Sequence, residues 1–219
     1  MKRVYIVVEG QTEQEFVRNV LSPYYLKEGV LQVTPILIKT SKTGRGGHVN
    51  ALHLLKTING LLDSMKGDAN VIVSTFIDYF RIPNNMPEYE ACMSLGNDSQ
   101  RADALEKALG QEVSDSRFLP YIQLHEFEAL LFSNNKGFEE YLSSEQAAKT
   151  AVVVSSFANP EDINSSPYTA PSKRILSIEN RYDKVLQGNL IAMNVGIDDM
   201  LAKCPRFSSW VLRLLAMAK

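Results

Sequence analysis

Hydrophobic and polar positions follow two different periods along this chain, and the switches between them predict the order of its elements. Val4-Tyr5-Ile6-Val7-Val8 is an unbroken β-branched and aromatic run, the pattern of a strand buried on both faces. Glu9-Gly10-Gln11 ends it, and Thr12 followed by Glu15 has the spacing of a capping box, which predicts a helix start there. Phe16, Val17, Val20 and Leu21 give that helix its apolar face, and Pro23 is expected to bend or end it. Leu31 to Ile38 predicts a second strand, and Leu52, Leu55, Ile58, Leu61 and Leu62 an amphipathic helix. Ala69 to Ile77 is a third, buried strand that closes at Asp78. The proline-containing segment 81–97 is expected to be a long loop or lid. Residues 98–111 read as helix, Phe118 to Leu124 as a fourth strand, and Glu126 to Phe132 as the opening of another helix.

This alternation implies an α/β fold, with a mostly parallel sheet flanked by helices on both faces. Beyond about residue 135 the strand pattern stops. Helical stretches at 136–142, 145–156, 174–186 and 198–217 take over, separated by the Pro-, Ser- and Asn-rich segment Asn159 to Ser172. The expected organisation is an α/β core over 1–135 and a helical C-terminal subdomain over 136–219, packed on the core within one structural domain. The apolar face Phe207, Trp210, Val211, Leu214 and Leu215 is expected to seal the core, a homodimer contact being the alternative.

Composition changes this picture little. With 219 residues, 45% hydrophobic and 22% charged, the chain can bury a core without disulfide staples. Cys92 and Cys204 show no metal-ligand spacing and read as reduced thiols. No apolar run approaches the roughly 20 residues of a membrane helix, and Val4 to Val8 is too short for an export signal. No membrane association and a cytoplasmic location are therefore expected. A net charge of −2 gives no global field to attract nucleic acid, which argues against a DNA-coating protein but not against an enzyme with a local site.

Acidic residues carry the candidate chemistry. In an open parallel sheet, ligands bind outside the carboxyl ends of the strands. Glu9 follows the first predicted strand, Asp78 the third, and Glu126 and Glu128 the fourth, while Glu13 lies one helical turn from Glu9. Five carboxylates thus converge by position. Close like charges stay ionised together only around a cation, and oxygen-only ligands favour Mg²⁺ or Mn²⁺ over zinc. Each acid also has an ordinary explanation as a solvated residue or a helix N-terminal charge. Glu9 and Asp78 resist it best, because each abruptly ends an apolar run.

Glu9-Gly10-Gln11-Thr12-Glu13 resembles the first motif of Toprim domains, in the form found in overcoming-lysogenization-defect (OLD) nucleases. Together with Pro120 to Glu128, Pro171-Ser172-Lys173-Arg174 and Cys204-Pro205-Arg206-Phe207, it resembles a bacterial Toprim-related domain-of-unknown-function family, number 4276, over nearly the whole chain. The resemblance implies a Toprim-like (Rossmann-like) fold, with Glu9 as the first-motif acid, Glu13 as a second metal ligand and Asp78 as the first acid of a DxD motif. Phe80 stands where that motif's second Asp belongs, so Glu126 or Glu128 would have to supply the missing ligand.

The implied chemistry is Mg²⁺- or Mn²⁺-dependent cleavage of phosphodiesters in DNA or RNA, in a setting of bacterial defence against phage. The alternative is a non-catalytic Toprim-like partner protein with a degenerate metal site, and a small-molecule phosphatase comes third. Glu9, Asp78 and Lys173 are the catalytic candidates. The metal-ligand candidates are Glu9, Glu13, Asp78, Glu126 and Glu128. Lys173 is chosen because OLD-like nucleases use a late lysine, with Arg174 in reserve for binding substrate. Lys42, Arg45 and His48 lie among Gly44, Gly46 and Gly47 and form a candidate basic rim for phosphates. His125, beside Glu126, is a further candidate base or ligand. Tyr79 and Phe80 could stack a base, although buried packing is the commoner role for such residues.

Overall fold

The computed structural model describes residues 2–38, 50–163, 166 and 168–219. Strands β1 (Arg3–Val8), β2 (Gln32–Leu37), β3 (Val71–Asp78), β4 (Phe118–Leu119) and β5 (Ile122–Gln123) form a parallel sheet in the order β2-β1-β3-β4, with β5 also pairing β3. Val4 stands opposite Val33 on one side and Ile72 on the other. β1 holds the continuous apolar run Val4 to Val8, and β3 is buried along nearly its whole length but carries Ser74 and Thr75. The predicted α/β class and its parallel sheet are the observed ones.

The first helical segment begins two residues earlier than the Thr12/Glu15 spacing predicts. α1 (Gln11–Phe16) is capped at Gly10, whose backbone N–H donates to Glu13 Oε2 at 2.9 Å. Pro23 does not end the segment. A π-helical turn over Val17–Leu21 opens the hydrogen-bond ladder, and Pro23 then falls in the first turn of α2 (Ser22–Lys27), where its missing N–H costs nothing. The predicted fourth strand is split by Pro120. On β3, Ser74 Oγ donates to the Leu119 carbonyl at 2.6 Å, and Thr75 Oγ1 bonds both the carbonyl and the amide of Tyr121. These two hydroxyls replace the ladder across the break. α3 (Ala51–Ser64) and α5 (Asp98–Val113) cover one sheet face, and the segment expected to be loop contains the short α4 (Tyr89–Met93).

The later region holds α6 (Lys136–Tyr141), α7 (Ser144–Ser156), α8 (Pro171–Ile178), α9 (Leu186–Val195), α10 (Ile197–Lys203) and α11 (Pro205–Ala218). Two predicted helices are therefore corrected: 174–186 ends at Ile178 and leaves an irregular stretch before α9, and 198–217 is broken where Pro205 starts α11. The predicted helix at 126–132 is a 3₁₀ turn over Phe127–Ser133. Phe207, Trp210, Val211, Leu214 and Leu215 are buried in one apolar cluster with Val4, Phe16 and Phe76, so this face does seal the core. The Trp210 ring stacks on Tyr121 at 4.4 Å. Among the described residues, no helix is long and apolar enough to cross a membrane.

Candidate functional site

The carboxyl ends of β1 and β3 open onto a cavity of about 380 Å³, lined by Glu9, Asp78, Glu126, Glu128, Tyr182 and Lys184 together with residues of its lip. The parallel register of β1 with β3, Val8 opposite Phe76, puts the chain exits of both strands side by side. Beyond β5 the backbone stays bonded to the end of β3, with the Tyr79 amide donating to the Gln123 carbonyl and the Phe80 amide to His125. His125 then takes a left-handed conformation, φ 65°, which turns the chain back across the strand ends. The Phe127 amide donates to Asp78 Oδ1 at 2.9 Å, and Glu126 and Glu128 reach the cavity from either side of it.

The five acids are held differently. Glu126 accepts from both the amide and the hydroxyl of Ser172, each at 2.9 Å, so its two oxygens tie the 3₁₀ turn to the first turn of α8. Glu13 is buried and engaged by the Gly10 amide, and is not among the residues lining the cavity. A Cβ on Gly10 would stand 3.0 Å from its carboxylate. Glu9 faces the cavity, yet enough protein surrounds it that burial raises its pKa, with Glu13 adding to the rise and Lys184 and the Asp78 amide opposing it. Asp78 is pushed well above the usual carboxylate range, first by burial and then by Glu13, Glu128 and Glu9, against the pull of Lys184. Glu128, wholly buried, is pushed up to about 7 by burial. The one charged partner its carboxylate has among the described residues is Lys184.

Lys184 was not among the candidates read from the sequence. Its ammonium lies 3.1 Å from Glu128 Oε2 and 3.6 Å from Asp78 Oδ2. Burial alone would lower its pKa, but Asp78 and Glu128 outweigh that and hold it above the ordinary lysine range. The irregular stretch before α9 carries it, and the helical reading of 174–186 concealed that stretch. The same stretch supplies Tyr182, whose buried hydroxyl has no partner among the described residues. Burial, then the Glu128 charge, raises its pKa, so it is a fixed O–H donor. Gly188 makes room for it: a Cβ there would come within 2.6 Å of the hydroxyl.

The remaining candidates separate cleanly. Lys173 lines the cavity from the first turn of α8 and is exposed. Arg174 turns away, donating to the Thr169 carbonyl at 2.8 Å and lying over the Phe157 ring. His125 is buried, does not line the cavity, and has its pKa lowered by burial. Lys42, Arg45 and His48 lie outside the described residues. The donor chemistry suits a hard divalent cation: oxygens only, from acids whose ionisation is strained by burial and by one another. Among the described residues, however, no group of three or more His, Cys, Asp or Glu side chains is arranged to hold a metal ion as it stands. Lys184 occupies the place between Asp78 and Glu128.

No curated protein matches the sequence. The structure is similar to the C-terminal region of the Burkholderia pseudomallei OLD protein, at 14% identity and a TM-score of 0.50, covering 100% of this chain and 97% of that one. It is also similar to the C-terminal region of the Xanthomonas campestris pv. campestris OLD protein, at 14% identity and a TM-score of 0.48, covering 99% and 92%. At such identities the likeness concerns the fold. The family described as a domain of unknown function, DUF4276, matches residues 8–215, and the chain belongs to that family.

Proposed function

We propose that this protein is a divalent-cation-dependent phosphodiesterase acting on nucleic acid. The observation that carries the reading is the convergence of Glu9, Asp78 and Glu128, from three separate parts of the chain, on one cavity with a single lysine between two of them. Acids clustered this closely, Asp78 and Glu128 among them largely shielded from solvent, are poised to take a cation in exchange for protons or for the lysine. Glu9, Asp78 and Glu128 would hold Mg²⁺ or Mn²⁺, and the bound ion would polarise a phosphoryl oxygen. Lys184 and Lys173 then serve to neutralise charge on the phosphate. The Tyr182 hydroxyl donates to a phosphate oxygen. Glu126, held by Ser172, fixes the position of Lys173 on α8.

The test uses the purified chain with plasmid, single-stranded DNA, RNA and nucleotides, each with Mg²⁺ or Mn²⁺, beside a Glu9→Ala variant. Metal-dependent cleavage that disappears in the variant supports the proposal. Cleavage that persists in it assigns the activity elsewhere. Two observations favour a second reading, a scaffold without catalysis: Phe80 in place of a second acid, and the want of a ready three-ligand arrangement among the described residues. Calorimetry with Mn²⁺ decides between them, since the scaffold reading requires neither metal uptake nor turnover.

A further inference from the structure

Asp78-Tyr79-Phe80-Arg81 leaves β3 with its side chains still alternating. Tyr79 turns into the core, 6% exposed, with its hydroxyl 3.1 Å from Asp98. Phe80 turns the other way and lines the acidic cavity. Arg81, which lines the same cavity, adopts φ 63°, a left-handed conformation that an arginine takes only when its surroundings impose it. A turn bond from the Ile82 amide to the Tyr79 carbonyl, 3.0 Å, closes this conformation. The result sets the Arg81 guanidinium over the Phe80 ring, 5.1 Å from its centroid. Arg81 is exposed and makes no ion pair among the described residues. An arginine stacked on an aromatic ring presents a flat, positively charged surface, the kind on which unpaired bases stack whatever their identity.

Depth points the same way. The side chains of Asp78 and Glu128 are only 12% and 0% exposed. The cavity above them, about 380 Å³, lies at the small end of the roughly 300–1,000 Å³ range of ligand pockets. A strand without a partner can bring its phosphate into such a recess while its unpaired base turns onto the neighbouring Phe80–Arg81 surface. We infer that the pocket takes an unpaired nucleotide, so that the substrate class is single-stranded nucleic acid, with one base on the Phe80–Arg81 surface and its phosphate toward Lys184. Phe80, where the related motif carries an acid, is then a specificity residue. The inference rests on the phosphodiesterase reading for the fate of the phosphate, but not for the binding of the base.

Binding without chemistry tests it. The 219-residue chain, in EDTA so that nothing is cleaved, is titrated into a short single-stranded DNA carrying one 2-aminopurine, and into the same strand annealed to its complement. Quenching of the 2-aminopurine is expected with the single strand, and Phe80→Ala should weaken its binding about 5- to 150-fold, the worth of one stacked base. Phe80→Trp should retain binding. Arg81→Ala, a change at an exposed position, should weaken it without altering thermal unfolding. Equal affinity for strand and duplex, or wild-type affinity in both Phe80→Ala and Arg81→Ala, overturns the inference. Quenching as expected with no cleavage once Mg²⁺ or Mn²⁺ is added removes the hydrolytic reading and leaves the nucleotide pocket standing. Cleavage with an unchanged KM in Phe80→Ala does the reverse.

Discussion

Lys184 stands between two carboxylates that burial would otherwise keep protonated, and its removal leaves both without a counter-charge. Breaking a fully buried ion pair typically costs about 3–5 kcal/mol. Because the Lys184 side chain is 38% exposed, solvent screening reduces this, and about 1–3 kcal/mol is expected for Lys184→Ala at neutral pH. The sign with pH follows from linkage. Without the ammonium, the pKa values of Asp78 and Glu128 in the folded state rise further, so the penalty is full above those values and shrinks as the acids protonate. The Tm deficit of the variant should therefore narrow as pH falls through about 7, the Glu128 value, and Mn²⁺ should raise the variant's Tm more than that of the wild type. A deficit that ignores both pH and metal would show that Lys184 acts through packing alone. Tyr182 predicts the opposite balance. Its buried hydroxyl has no protein partner among the described residues, and removing such a group is neutral or stabilising. Tyr182→Phe should unfold at the wild-type temperature or above it while losing phosphodiesterase activity. A Tyr182→Phe variant of full activity would remove the hydroxyl from the site.

Elements explain why the acids were legible in the sequence and the lysine was not. Glu9 and Asp78 interrupt continuous apolar runs, and a buried parallel strand is the one element whose end such an interruption marks without reference to partners. Glu126 and Glu128 were reachable for a similar reason, although Pro120 divides their strand and the polar Ser74 and Thr75 rejoin it from β3. That repair is tertiary and has no local signature. Lys184 and Tyr182 lie in a stretch whose polar and apolar residues fit a helical period, so α8 was extended through them. Packing against α9 helps to seat that stretch. Gly188 on α9 leaves space for the Tyr182 hydroxyl, and Gly137 on α6 lets α6 approach the carbonyl of Ile191 on α9. A Cβ on Gly137 would meet that oxygen at 2.4 Å, a backbone atom that cannot swing aside. Gly137→Ala should force α6 and α9 apart at about 1–3 kcal/mol. Since α9 directly follows Lys184, activity should fall along with Tm. Unchanged unfolding in this variant would mean that the two helices are not in contact as described.

At the scale of the whole molecule, the two faces of the sheet are joined through a second, largely buried acid outside the first cluster. Glu106 on α5 accepts from the Ile122 amide at 2.9 Å and from Arg206 at 2.8 Å. Glu161 holds the start of α11 by accepting from the amides of Arg206 and Phe207. The Cys204-Pro205-Arg206-Phe207 stretch, which the catalytic reading leaves without a role, thus fastens α11 to the sheet and to α5. Burial pushes Glu106 up to about 7 from an ordinary value of 4.5, even with Arg206 beside it: desolvation exceeds the attraction of the pair. A carboxylate raised on folding binds more protons in the folded than in the unfolded chain between those two values. Its contribution to stability is complete below about pH 4.5 and is lost as pH rises through about 7, at no more than about 1.4 kcal/mol per pH unit. Glu106→Gln keeps an acceptor for Ile122 and Arg206 but cannot titrate. Chemical unfolding of the two proteins across this window should give a wild-type stability that falls with pH more steeply than that of Glu106→Gln, the curves running parallel outside it. Parallel curves throughout would mean that Arg206 keeps Glu106 ionised at every pH, and that the joint between α5 and α11 is a full ion pair.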